Sequence, residues 1–181
     1  MQMLFGFSPF ILFAVFSNYS TSLALWLAFA AAFAVGIRTF LQKREIRILD
    51  AGSIVLFGGM TLVSAVFQDI SPIVVRLVIN GGLMVVVLIS LAMKKPFTLP
   101  YAKEQTPPPI WDLPIFLQVN MTISAAWAAA FGVMTAADLA SLLGFLSLPL
   151  AIAIGLLALI GAIVFSVRYP AVVRKRFGLP G

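Results

Sequence analysis

The sequence predicts an all-α, polytopic transmembrane bundle of six spans with both termini in the cytoplasm, and three observations carry that prediction. The chain is 62% apolar, only 10% charged, and has a mean hydropathy of +1.10. Average soluble domains carry about 25% charged residues. Apolar stretches recur between short polar joints, most of them near the roughly 20 residues that cross a ~30 Å hydrocarbon core. The basic residues also alternate in position. Four lie in residues 38–47, three in 94–103 and four in 168–176, eleven of the twelve in the chain. The intervening joints 18–22, 68–71 and 138–143 have none. The positive-inside rule places the three basic joints on one side, the cytoplasm.

The elements follow in order. Span 1 is expected over residues 3–17 with Pro9 inside it. At 1.5 Å per residue it reaches only about 22 Å. A short tilted span, a re-entrant piece and one arm of a hairpin all fit that length, so five crossings stand beside six. This stretch has no basic n-region and no small-residue cleavage site before a soluble domain, and is read as a span, not a removable signal. Span 2 covers 21–41, with an uncharged turn and cap built from Asn18, Ser20, Thr21 and Ser22. It reads as a lipid-contacting helix rich in Ala and Phe, with Arg38 able to snorkel from its end.

Span 3 covers 48–67. Asp50 lies in its first turn, where a carboxylate suits the positive end of the helix dipole. The pair Gly58-Gly59 sits mid-span, where glycines mark either close helix packing or a hinge. Span 4 covers 72–93 and starts at Pro72, a favoured first helical residue. Residues 94–114 form a cytoplasmic loop whose six prolines argue against an extended helix. Tyr101 and Trp111 are expected at headgroup level there. Span 5 covers 115–137, and span 6 covers 141–167 with a bend expected at Pro149 and Gly155, Ala158 and Ala162 on a packing face. The whole is one transmembrane domain, residues 1–181.

The polar residues inside the spans are few. Arg76 lies about one turn into span 4, and Asn80 shares its face four residues on. An Arg at mid-bilayer costs about 2.5 kcal/mol or more on insertion scales, so this one is expected to snorkel outward. Pairing with Asp69 or Asp138, contact with an anionic headgroup, and a gating pair are its alternative roles. Asn80 and Asn120 each need a partner in lipid and read as interhelical struts or substrate ligands.

The chain has no Cys and no His. That removes thiolate nucleophiles, imidazole bases, disulfides and the usual zinc and haem ligands. No Gly-rich phosphate loop is present, and Asp50 is expected on the opposite side from Asp69 and Asp138. The expectation is a protein that is not an enzyme and needs no cofactor or metal. The net charge of +6 is explained by topology and anionic headgroups, not nucleic acid.

Several short motifs resemble the intracellular septation protein A family of small bacterial inner-membrane proteins. They are Phe7-Ser8-Pro9, Leu56-Phe57-Gly58-Gly59-Met60-Thr61-Leu62, Phe67-Gln68-Asp69, Lys95-Pro96, Trp111, Asn120 and Trp127-Ala128. The match in order and spacing runs from about Phe7 to Asp138. The stretch Phe97-Thr98-Leu99-Pro100-Tyr101-Ala102 and the Pro-rich loop depart from the better-known members and mark a divergent branch. The resemblance implies a multi-pass protein of the bacterial cytoplasmic membrane, linked to septation or cell-envelope integrity, without enzymatic activity.

It also implies contacts with envelope or division proteins. Anionic lipid headgroups at the cytoplasmic face and a second copy of the chain are the other expected partners. The expected interaction or packing set is Gly58, Gly59, Thr61, Asp69, Arg76, Asn80, Lys95, Pro96, Trp111, Asn120, Trp127 and Asp138. A small transporter or channel for a lipid, solute or ion is the competing reading. A cavity reaching Asn80 or Asn120 would favour it.

Overall fold

The computed structural model describes residues 6–17, 19–67 and 70–177. Among these residues every regular element is helical: α1 (Ser8–Phe16), α2 (Thr21–Lys43), α3 (Ile48–Val66), α4 (Pro72–Ala92), α5 (Leu99–Lys103), a single 3₁₀ turn (Pro108–Ile110), α6 (Pro114–Leu142) and α7 (Leu148–Phe177). Five of them, α2, α3, α4, α6 and α7, are long and apolar enough to cross a membrane. Their outward faces are apolar too: Val55 is 72% exposed, Val66 74% and Val167 73%. Surfaces of that kind are consistent with lipid as the solvent, because water would meet an oversized apolar patch. The helices are those expected of a multi-pass membrane protein.

α1 differs from the expected first span. It has nine residues, or about 14 Å of helix, roughly half the hydrocarbon thickness. Pro9 lies at its start, not inside it, because a proline supplies no N–H and fits the first turn. The expected residues 3–5 lie outside the described ones.

The chain divides into two compact units, Met1–Val86 and Val87–Gly181, with the division inside α4. In the first unit α2 buries Ala24, Ala28, Ala32 and Gly36, one small residue per turn. Small side chains let helix backbones approach closely in lipid. α3 presents Leu49, Ser53, Phe57 and Met60 as its buried stripe. The two helices form an antiparallel hairpin around the joint 44–47. A Cβ on Gly36 would lie 2.7 Å from Ile54, and one on Gly58 would lie 2.9 Å from the Phe29 ring. At Gly58 the ring leaves little room for a side chain, whereas at Gly36 the Ile54 methyl is the mobile end of its side chain and can yield. α2 exposes Leu23, Trp26, Phe33 and Phe40, in keeping with a lipid-contacting helix, and its small-residue stripe makes it a packing helix as well.

α1 closes the other side of Phe57. The rings of Phe10 and Phe13 lie 4.9 and 5.9 Å from it. α3 and α4 meet where Gly52 faces Val86 and Gly82 faces Leu56, so four steps forward on one helix match four back on the other. Beside the Phe67 end of α3 lies an open apolar groove of about 800 Å³, bordered by Met60, Val63 and Phe67 on one side and Val74 and Val78 on the other.

In the second unit α6 and α7 pair along their length. Both are longer than expected. α6 continues through Asp138 to Leu142, and the turn falls at 143–147. α7 begins at Leu148, so Pro149 occupies its first turn and does not bend a helix already under way. α7 then continues past Pro170 to Phe177. At about 45 Å it exceeds the hydrocarbon thickness by several turns, which carries Arg174, Lys175 and Arg176 beyond the apolar stretch.

Candidate functional site

The polar groups in the second unit gather where the 94–114 segment meets α6. α4 ends with the Lys94 N–H donating to the Leu91 carbonyl (2.9 Å) and the Lys95 N–H donating to the Ser90 carbonyl (3.0 Å). This double bond pattern is a Schellman cap, which satisfies carbonyls that the helix end would orphan. The Ser90 hydroxyl also accepts from the Phe97 N–H at 3.3 Å. These bonds turn the chain back, and Pro96, Phe97, Thr98 and Tyr101 are buried. Tyr101 is 2% exposed, so its ring packs within the protein and does not face headgroups.

Asn120, Ser124 and Trp127 occupy one face of α6 at helical spacing and receive that segment. The Thr98 hydroxyl lies 3.1 Å from the Asn120 carbonyl, 3.2 Å from Asn120 Oδ1 and 2.9 Å from Ser124 Oγ. The Asn120 amide donates to the Phe116 carbonyl at 2.8 Å. Thr98 and Asn120 are 4% and 2% exposed, and Ser124 is fully buried. Neutral amide and hydroxyl groups satisfy each other here, the arrangement required of polar groups taken out of water. Asn120 thus joins α6 to the loop at Thr98.

Trp127 extends the same surface. Its Nε1 donates to Ser166 Oγ at 2.9 Å, and Ser166 donates on to the Ala162 carbonyl at 2.7 Å, tying α6 to α7. Phe97 stands edge-on to the Trp127 ring, centroids 6.2 Å apart. Trp111 is only part-buried. Its Nε1 donates to Thr106, 3.1 Å to the carbonyl and 3.2 Å to the hydroxyl, and Lys103 Nζ lies 5.2 Å from its ring centre. The loop is therefore folded back and pinned at both ends. Lys94 and Lys95 remain exposed. Asp138, expected at an outer helix end, is fully buried within α6.

In the first unit the expected residues are spread along α3 and α4. Thr61 is buried and its hydroxyl donates to the Phe57 carbonyl at 2.7 Å. Gly58 meets Phe29, whereas Gly59 faces open space. The pair thus divides: one glycine packs and the other does not. Arg76 is half-buried and Asn80 buried. Asp69 lies outside the described residues. Asp50 is 2% exposed, with the Thr39 hydroxyl bonded to its carboxylate and the Arg47 charge acting on it.

Thr98, Ser124, Ser166 and Thr39 are the structural partners absent from the sequence-derived set. Ser124 had a visible signal, the spacing Asn120, Ser124, Trp127 on one helix face. Thr98 had none, because a proline-flanked loop has no periodicity from which to read a face. Neither groove described in these units is lined by Asn80 or Asn120. No protein-family model, curated protein or solved structure matches the chain.

Proposed function

We propose that the chain is a non-enzymatic, six-span protein of the bacterial cytoplasmic membrane, a divergent relative of the intracellular septation protein A family. It supports envelope integrity or septation through protein and lipid contacts. The supporting observation is the use made of Asn120 and Trp127. Both belong to the set implied by the resemblance, and both spend their polar groups on Thr98 and Ser166, joining elements of the fold. Polar residues used as internal struts suit a scaffold with outward interaction surfaces better than a carrier, whose polar residues must line a path. The outward surfaces available are the basic joints and the exposed prolines 107–109 with Asp112.

The test is affinity purification of the full chain in native lipid nanodiscs, with mass spectrometry of proteins and lipids together. The reading expects a stoichiometric envelope-building or division protein, an enrichment of anionic lipid, or both. Recovery with bulk lipid alone and no stoichiometric partner would sink it. Solute uptake by proteoliposomes containing only this chain would replace it with the transport reading.

A further inference from the structure

A second, smaller groove lies in the second unit, about 280 Å³ in volume and lined by Lys94, Pro114, Leu117, Gln118 and Met121. The four α6 residues are spaced i, i+3, i+4, i+7 and form one stripe over its first two turns. Pro114, Leu117 and Met121 supply an apolar floor. Gln118 and Lys94 complete the lining, and each carries a polar end beyond its aliphatic stem. The site sits where α4 ends and α6 begins, at the polar ends of two apolar helices, which is headgroup depth for a spanning chain.

Lys94 is held there by an unfavourable backbone. Its φ is +54°, in the left-handed region that costs an L residue about 1–2 kcal/mol. The end of α6 shows the ordinary solution. The same pair of bonds, from Gly144 to Ser141 (3.1 Å) and from Phe145 to Ala140 (2.9 Å), is formed there with glycine at the left-handed position, φ +81°. One cap motif is thus used twice, with Gly in one copy and Lys in the other. Among the described residues the other non-glycine left-handed position is Arg44, again a basic residue at a helix end in a basic joint. A cation at a helix C-terminus gains dipole energy of about 0.3–1 kcal/mol. That gain does not explain why this cation borders a groove with an apolar floor.

We propose that this groove is a specific site for one anionic glycerophospholipid. Its phosphate meets the Lys94 ammonium, a headgroup or ester oxygen accepts from the Gln118 amide, and the start of one acyl chain lies along Pro114, Leu117 and Met121. The volume of about 280 Å³ is just below the ~300–1,000 Å³ of small-molecule sites, room for part of a lipid whose remainder stays in the bilayer. A zwitterionic choline head would bring a second cation towards Lys94, so charge selects the anionic class. The proposal rests on the reading that the basic joints meet anionic headgroups, and narrows it to one place.

The experiment uses the full chain in nanodiscs of equimolar phosphatidylglycerol and phosphatidylcholine, followed by native mass spectrometry of retained lipid. Wild type is expected to keep one phosphatidylglycerol per chain. Lys94→Gly should weaken retention about five-fold, the loss of one cation at a membrane surface, while unfolding at the same or a higher temperature because glycine suits the cap. Lys94→Arg should retain the lipid. Met121→Trp, which fills the groove and leaves the charge, should lose it. Wild-type retention in both Lys94→Gly and Met121→Trp would overturn the groove and leave the broader headgroup reading standing. Loss in Lys94→Gly alone would also overturn it, in favour of a diffuse charge effect. No preference for phosphatidylglycerol in wild type would remove both readings.

Discussion

Thr98 shows how much one hydroxyl can organise. It has a single proton, yet it lies within bonding distance of the Asn120 carbonyl, the Asn120 side chain and Ser124 Oγ. Ser124 is a hydroxyl too, so when the Thr98 proton goes to Asn120, Ser124 donates to Thr98 Oγ1. Thr98→Val keeps the shape and removes the hydroxyl, which strands polar atoms that the fold has buried. Polar pairs within membranes average about 0.6 kcal/mol in double-mutant cycles, and stranding a buried group costs about 1–3 kcal/mol. A loss of about 1 kcal/mol is expected, read by thermal or denaturant unfolding in micelles, with Thr98→Ser close to wild type. Equal stability of Thr98→Val and wild type would mean that the cluster contributes nothing. Half of this cluster was legible beforehand. Asn120 announces itself because an amide in an apolar helix must find a partner, and Trp127 because an indole N–H must donate. Their partners were not legible, since a strut's far end depends on where the chain returns.

At the scale of helices, the glycines separate into two kinds that composition alone does not distinguish. Gly52 abuts Val86, with a hypothetical Cβ 2.8 and 2.9 Å from its two methyl groups, and nothing stands within 4 Å of Gly59. Valine is stiff at χ1 and cannot swing its methyls aside cheaply. Gly52→Ala should therefore destabilise by about 1–3 kcal/mol, as overpacking does. Gly59→Ala should be neutral or stabilising by up to about 1 kcal/mol, through the ordinary helical preference for Ala. Unfolding of the two variants side by side checks both signs, and a loss in Gly59→Ala as large as in Gly52→Ala would refute this register of α3 on α4. The sequence shows why such a distinction is hard to reach in advance. Gly58-Gly59 stood out as a pair, but adjacent residues on a helix point about 100° apart, so only one can face a given neighbour. The stripe Ala24, Ala28, Ala32, Gly36 was the better signal. Its four-residue repeat is what two closely packed helices need, and it was hidden by the Phe residues interleaved with it.

For the whole chain, hydropathy and charge were sufficient to predict a helical membrane protein, because lipid leaves a spanning backbone few alternatives to the helix. Helix ends were less legible. Asp138 reads as a polar joint, yet α6 runs through it to Leu142, with the carboxylate buried within the helix. The first span was the least legible, because Pro9 and a short apolar run fit several geometries, and α1 is too short to cross unaided. The number of crossings is therefore the prediction that matters most for function: it sets which side the N-terminus faces. Cysteine labelling suits this chain, which has no native Cys to remove. Single cysteines at Glu45, Gln105 and Lys175 should react with a membrane-impermeant maleimide only after permeabilisation, because the basic joints holding them are read as cytoplasmic. Cysteines at Ser71 and Phe145 should react in intact cells. A cysteine at Gln2 then decides the count: protection until permeabilisation means six crossings with both termini inside, and reaction in intact cells means five, with α1 not crossing. Reaction of Gln105 in intact cells would overturn the topology outright, and with it the cytoplasmic headgroup site at Lys94.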